Sequence, residues 1–155
     1  HDTLLEAFKK IKKNFSATVL ILAGLGTENI NKIHGLIALG PCQDIDHVYS
    51  ACDIIISSSA FGEGFSNALA EGMSSSLIPI ATDVGEAKHI VGSTGKIINP
   101  KNVIELYNAI KELLELEEQK FIANKIFAKN RINQKFNQLK MLDAYDEVYN
   151  KLLEE

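Results

Sequence analysis

Two glutamates, Glu63 and Glu71, lie eight residues apart in a segment rich in glycine and small residues. Gly62 and Gly64 flank the first of them, so the backbone can approach a ligand closely there. At 1.5 Å of helical rise per residue, Glu71 lies roughly 12 Å further along the chain axis. Taken singly, each glutamate is more typical of a solvated side chain, but together they could hold different ends of one elongated polar ligand.

A helix is predicted from about Phe65 to Ser75, directly after the glycines. The N–H groups of Phe65, Ser66 and Asn67 would then lie in its first turn, where backbone donors have no partner within the helix. Such donors suit hydroxyls and phosphate oxygens. The segment therefore combines acceptors and donors, as a phosphorylated, hydroxyl-rich ligand requires.

The elements that must position these groups alternate between apolar runs and helical segments. This order, with strands that are apolar throughout, predicts an α/β fold: a doubly wound, Rossmann-like parallel sheet with helices on both faces. Ligands of such sheets bind beyond the carboxyl ends of the strands. From residue 101 onward apolar residues recur at helical spacing, so the C-terminal third is predicted to be helical. The predicted strands span residues 17–24, 35–40, 53–59, 77–82 and 96–98, and short helices are expected at 28–34, 44–51 and 86–91.

Composition limits the possible functions. The 155 residues fit one domain, and a formal charge of −4 gives no global attraction to nucleic acid. Cys42 and Cys52 form no metal-ligand pattern, so no metal site is predicted, and a reducing, cytoplasmic location is expected. No apolar run is long enough to cross a bilayer. The lysines at the end of the first helix leave a peripheral contact with anionic lipid as an alternative to ordinary solvation.

The residues Glu63, Gly64, Phe65, Asn67 and Glu71 resemble the E-x7-E signature of the group-one, or family-four, retaining glycosyltransferases of the GT-B fold. The flanking segments are also similar to that family, in the same order and at the same spacing, across nearly the whole chain. These segments are residues 39–49, 53–59, 81–85 and 92–95. The chain is thus identified as the C-terminal, nucleotide-sugar-binding domain of a longer two-domain enzyme.

The resemblance implies a role for each matching position. Glu63, at the catalytic position, would contact donor-sugar hydroxyls as a positioning and electrostatic residue, and the leaving phosphate itself would be the general base. Glu71 would accept hydrogen bonds from the ribose. The other donor-binding residues of this segment would be Gly62, Gly64, Phe65, Ser66 and Asn67, with the backbone N–H groups of residues 64–66 directed at the sugar or its phosphate. Pro41, Cys42 and Gln43 would lie along the nucleobase.

The resemblance also implies the wider reaction. The expected activity is metal-independent, retaining hexosyl-type transfer from an NDP-sugar to a saccharide or lipid-linked acceptor in polysaccharide or glycoconjugate assembly. No cofactor is expected, the acceptor would bind an N-terminal domain, and the isolated chain should be inactive. An NDP-sugar epimerase of the same architecture and a non-catalytic nucleotide-sugar-binding module are the alternatives.

One departure from the family pattern concerns the sheet. The chain starts at the helix that normally follows the first, central strand, and that strand and a basic loop would precede His1. Without it, the strands near Val19 and Ile54 would each leave backbone groups unpaired. We therefore expect upstream residues to fill the gap, or these two strands to pair directly or to recruit a strand from another copy.

Overall fold

The computed structural model describes residues 1–153, in which five parallel strands alternate with helices. The strands are β1 (Leu20–Ala23), β2 (Leu36–Gly40), β3 (Ile54–Ser57), β4 (Ile78–Thr82) and β5 (Lys96–Ile98). The helices are α1 (Asp2–Asn14), α2 (Ile45–Ser50), α3 (Asn67–Ser74), α4 (Ala87–Val91), α5 (Val103–Leu114), α6 (Glu118–Lys135) and α7 (Gln138–Leu153). This order confirms the predicted α/β fold and its helical C-terminal third.

The five strands are divided between two sheets. β1 pairs with β2, with Leu20 opposite Leu36, and a second sheet has the order β3-β4-β5, with Ile54 opposite Ile78. Within residues 1–153, β1 and β3 do not pair. The expected alternative in which these two strands pair directly is therefore wrong.

β4 is buried along its whole length because helices cover both of its faces. Ile78 and Ile80 point into a cluster formed with α1 and α5. Ala81 points the other way, into a cluster that contains residues of α3, α4 and α6. Alternate side chains of a strand face opposite sides of the sheet, so this strand joins the two halves of the core.

The β1–β2 sheet is covered less completely than predicted. Residues 17–24 and 35–40 were expected to be buried on both faces, yet burial along β2 alternates and Ile37 and Leu39 are exposed. On β1 only Leu22 is fully buried. An apolar run indicates a strand but does not reveal whether a second layer covers it.

Two helix boundaries differ from the prediction. The helix expected over 28–34 is a single 3-10 turn at Thr27–Asn29. The helix expected from Phe65 begins two residues later, at Asn67. No helix in the part of the chain that the structure describes is both long and apolar enough to cross a membrane.

Candidate functional site

The Glu63 side chain lies in the loop that follows β3 and is half-buried. Its Oε1 atom accepts a hydrogen bond of 2.5 Å from the Ser59 hydroxyl. The Ser59 carbonyl oxygen in turn accepts a 2.7 Å bond from the hydroxyl of Thr82, a buried residue at the end of β4. The carboxylate is therefore linked through two hydroxyls to the buried strand.

The loop after β4 supports the same segment from the other side. Gly85 has a φ of +55°, and a Cβ atom there would lie only 2.2 Å from the Glu63 carbonyl oxygen. The N–H group of Glu86 donates a 3.2 Å bond to the Gly64 carbonyl. Only glycine fits such an approach, so the backbone at Glu63 is fixed by contact between two loops at the carboxyl edge of the sheet.

The predicted backbone donors lie at the start of α3, but only one of the three, Asn67, is in its first turn. Ser66 occupies the N-cap position and Asn67 is the first helical residue, so the first-turn assignment of Phe65 and Ser66 is wrong. The physical reason is the extended backbone of Ser66, which delays the helix. Within residues 1–153, the N–H groups of Phe65, Ser66 and Asn67 still make no backbone hydrogen bond.

Glu71 is exposed on the second turn of α3 and is bonded to α2. The hydroxyl of Tyr49 donates to its Oε2 atom over 3.2 Å and lies 3.5 Å from the Ala68 carbonyl oxygen. Burial raises the pKa of Tyr49 to about 12, and the negative charge of Glu71 adds to the effect. The hydroxyl therefore keeps its proton at neutral pH and remains a donor.

The predicted nucleobase loop, Pro41, Cys42 and Gln43, is exposed at the carboxyl end of β2. The end of β2, directly before this loop, is bonded to the residue that follows β1, because the Gly24 N–H donates a 2.7 Å bond to the Gly40 carbonyl. The Gly40 N–H donates to the hydroxyl of Thr27 over 3.0 Å. Cys42 carries a free, exposed thiol.

The Phe65 side chain contacts the C-terminal helices. Its ring centroid lies 5.5 Å from that of Phe136, which follows α6, and His89 packs edge-on against the same ring at 5.3 Å. Arg131 donates two hydrogen bonds to the carbonyls of His89 and Ile90 at the end of α4. Sequence reasoning missed this cluster because its members are far apart in the chain.

The structure thus gives each predicted carboxylate its own hydroxyl partner. Glu63 lies in the loop after β3, which contacts the loop after β4, and Glu71 lies on α3 and is bonded to α2. A depression of about 420 Å³ lies elsewhere, along α6 between Ala123 and Asn130, and no predicted site residue lines it. The sequence did show Ser59 and Tyr49 near the motif, but nothing in it indicated which carboxylate each contacts.

The parallel α/β architecture is that of the GT-B glycosyltransferases, and comparison with solved structures confirms the fold. A glycosyltransferase from Rickettsia africae ESF-5 is 23% identical over 97% of this chain and 44% of its own, with a TM-score of 0.85. Anabaena HepE in complex with UDP-glucose is 20% identical over 97% and 45%, with a TM-score of 0.82. The pneumococcal O-GlcNAc transferase GtfA in complex with UDP and GlcNAc is 18% identical over 99% and 33%, with a TM-score of 0.79.

The glycosyl transferases group 1 family matches residues 1–116, which is most of the chain. The chain therefore belongs to this family, and the predicted resemblance is confirmed. It spans less than half the length of the solved structures to which it is similar. A comparison with curated protein sequences finds no significant match.

Proposed function

We propose that this chain is the donor-binding half of a retaining glycosyltransferase that transfers a hexose-type sugar from a nucleoside-diphosphate sugar. The observation that carries the proposal is the arrangement around the start of α3. Two carboxylates, Glu63 and Glu71, each accept a hydrogen bond from a hydroxyl. Between them in the chain lie the N–H groups of residues 65–67, which make no backbone hydrogen bond within residues 1–153. The UDP-glucose bound to HepE supports a donor of this chemical class.

The proposed chemistry follows from the charges that develop during transfer. Breaking the sugar–phosphate bond builds positive charge on the sugar and negative charge on the departing diphosphate. Glu63 faces the first as an acceptor and binds sugar hydroxyls, while the N–H groups of Phe65, Ser66 and Asn67 face the second as donors. Glu71 binds the ribose, and Pro41, Cys42 and Gln43 lie along the base. The leaving phosphate serves as the general base, and no metal or cofactor takes part.

The proposal includes a second half of the enzyme, an N-terminal domain that binds a saccharide or lipid-linked acceptor. Helix α7 supports this partner, because none of its described residues is buried and Leu142, Tyr145 and Tyr149 are exposed on it. The isolated chain would therefore bind donor without completing transfer.

We place the enzyme in the cytoplasm, in polysaccharide or glycoconjugate assembly. A peripheral membrane contact through α1 would involve Lys9, Lys10 and Lys13, which are exposed. Lys12 is less available, because its ammonium group donates to the carbonyls of Ser16 and Thr18.

Nucleotide binding tests the proposal directly. In the full-length protein, Glu71→Gln should weaken the tightest binder among UDP, GDP and ADP by about tenfold or more, because a hydrogen bond to a charged group contributes roughly 1.5–3 kcal/mol. Calorimetric titration measures the change. Glu118→Gln, at an exposed glutamate in the first turn of α6, is the matched control and should leave the affinity unchanged.

Equal affinities for wild type and Glu71→Gln, with the same thermal unfolding midpoint, would contradict the role of Glu71. Absence of binding by all three nucleotides to the wild-type protein would contradict the donor site itself. Conversion of the donor to an epimeric nucleotide sugar, in place of transfer, would favour the epimerase alternative.

A further inference from the structure

Tyr49 combines a buried ring with a hydroxyl directed at an exposed carboxylate. Only 6% of the residue is exposed, whereas Glu71 lies at the surface of α3. The two residues are 22 positions apart and are joined by a 3.2 Å hydrogen bond. A fixed donor of this kind restricts a side chain that would otherwise rotate freely in water.

We propose that Tyr49 is a positioning residue, which holds the Glu71 carboxylate in the orientation that binds the donor nucleotide. The inference rests on the proposed function, because it concerns how Glu71 acts. It adds a residue on α2, outside the E-x7-E segment, to the donor site.

The Tyr49 hydroxyl has two acceptors within reach, and Glu71 is the better one. The Ala68 carbonyl lies 3.5 Å from the hydroxyl and Glu71 Oε2 lies 3.2 Å from it, both beyond the usual O–H···O range of about 2.5–3.0 Å. The Glu71 Oε2 atom is nearer and carries charge, which strengthens the bond. The hydroxyl is therefore directed mainly at the carboxylate.

The bond from Tyr49 also lowers the cost of ordering Glu71 when a ligand binds. A free glutamate must lose rotamer freedom when it binds a ligand, and each ordered side chain costs association some of its free energy. Because Tyr49 already orders Glu71, the donor nucleotide meets a carboxylate in place. The Tyr49 hydroxyl bonds to Oε2, and the Oε1 atom of Glu71 accepts no hydrogen bond within residues 1–153, so it is available to a ligand hydroxyl.

A purely structural role makes a different prediction. If the bond served only to join α2 to α3, its removal would lower stability and leave nucleotide affinity unchanged. Tyr49→Phe removes the hydroxyl and keeps the buried ring. Because Glu71 is exposed, water can take the place of the lost hydroxyl as its hydrogen-bond donor. We therefore expect the thermal midpoint to change little and the affinity to fall.

A double-mutant cycle in the full-length protein separates these roles. Wild type, Tyr49→Phe, Glu71→Gln and the double variant are titrated with UDP, or with GDP or ADP if that binds more tightly. Tyr49→Phe should weaken binding by about two- to tenfold, the range expected for one hydrogen bond. In the Glu71→Gln background the same change should have no further effect.

Tyr107→Phe is the matched control, because the Tyr107 hydroxyl accepts a 3.1 Å bond from Asn14 on α1, away from Glu71. It should leave the affinity unchanged. Full affinity in Tyr49→Phe, with weak binding in Glu71→Gln, would overturn the positioning role and leave the proposed function standing. Equal weakening in both backgrounds would also overturn it. Wild-type affinity in Glu71→Gln would instead contradict the role of Glu71 in the proposed function, on which this inference rests.

Discussion

At the scale of single residues, the two carboxylates of the site differ in how they are held. Glu71 accepts its hydrogen bond from the hydroxyl of Tyr49, which is 22 residues away in the chain on another helix. Glu63 accepts its hydrogen bond from Ser59, only four residues away. That serine is fixed in turn by Thr82, 23 residues further along the chain. Orientation of Glu63 therefore depends on the end of β4 as well as on its own loop.

Replacement of Ser59 by alanine should reduce transfer without reducing nucleotide affinity. Glu63 would lose its 2.5 Å hydroxyl contact and, in the proposed function, faces the sugar and not the ribose. We expect kcat to fall by about five- to tenfold, which corresponds to about 1–1.4 kcal/mol. Steady-state assays with the full-length enzyme measure this value.

Ser58→Ala is the matched control, since Ser58 is half-buried in the same loop and its hydroxyl makes no hydrogen bond within residues 1–153. An unchanged kcat in Ser59→Ala, or an equal fall in Ser58→Ala, would show that the Ser59 hydroxyl does not orient Glu63.

At the scale of elements, α3 contains a glycine in its interior, Gly72. Glycine is a poor helix former, so its local effect is to weaken the helix. In the structure it is buried against β3, and a Cβ atom there would lie 2.9 Å from the Ile55 side chain. The glycine permits close packing of the helix that carries Glu71.

The end of α3 contains a strained residue. Ser76 has a φ of +68°, and the N–H groups of Ser76 and Leu77 donate to the carbonyls of Met73 and Gly72. This is the Schellman arrangement, in which the residue with positive φ is usually glycine.

Ser76→Gly should therefore stabilise the protein by about 0.5–1 kcal/mol, because relief of the left-handed strain exceeds the added freedom of the unfolded chain. Chemical denaturation measures the free energy of unfolding. Ser75→Gly is the control, since Ser75 has a φ of −83° and glycine there should destabilise. The explanation fails if both changes lower the stability equally.

The elements were predicted well where a single physical signal decides them. The apolar runs indicated β3, β4 and β5, and helical spacing indicated the C-terminal helices. The prediction failed where the outcome depends on packing: residues 28–34 are mostly not helical, and Ile37 and Leu39 on β2 are exposed. Burial of a strand depends on which elements cover it, and local sequence does not contain that information.

In the candidate site too, local sequence indicated some features and packing decided the others. The spacing of Glu63 and Glu71 and the glycines around Glu63 indicated the site from the sequence. The contacts that hold the two carboxylates were not predictable, because Tyr49 lies 22 residues from Glu71 and Thr82 lies 23 from Ser59. Such pairs are brought together only by the order of parallel strands.

At the scale of the whole molecule, two sheets share one core without being paired to each other. Leu22 of β1 and Ile80 of β4 belong to the same cluster, which α1 and α5 cover. β1 and β3 are not paired with each other within residues 1–153. The presence of a further parallel strand between them stays a prediction of the doubly wound topology.

The measurement that tests the donor site most directly is a crystal structure of the full-length protein with a nucleoside diphosphate. The predicted result has the ribose hydroxyls within hydrogen-bonding distance of the Glu71 carboxylate and the phosphates at the N–H groups of residues 65–67. The base would lie along Pro41, Cys42 and Gln43. A nucleotide bound with its ribose away from Glu71, or its phosphates away from the start of α3, would contradict the assignment of this site.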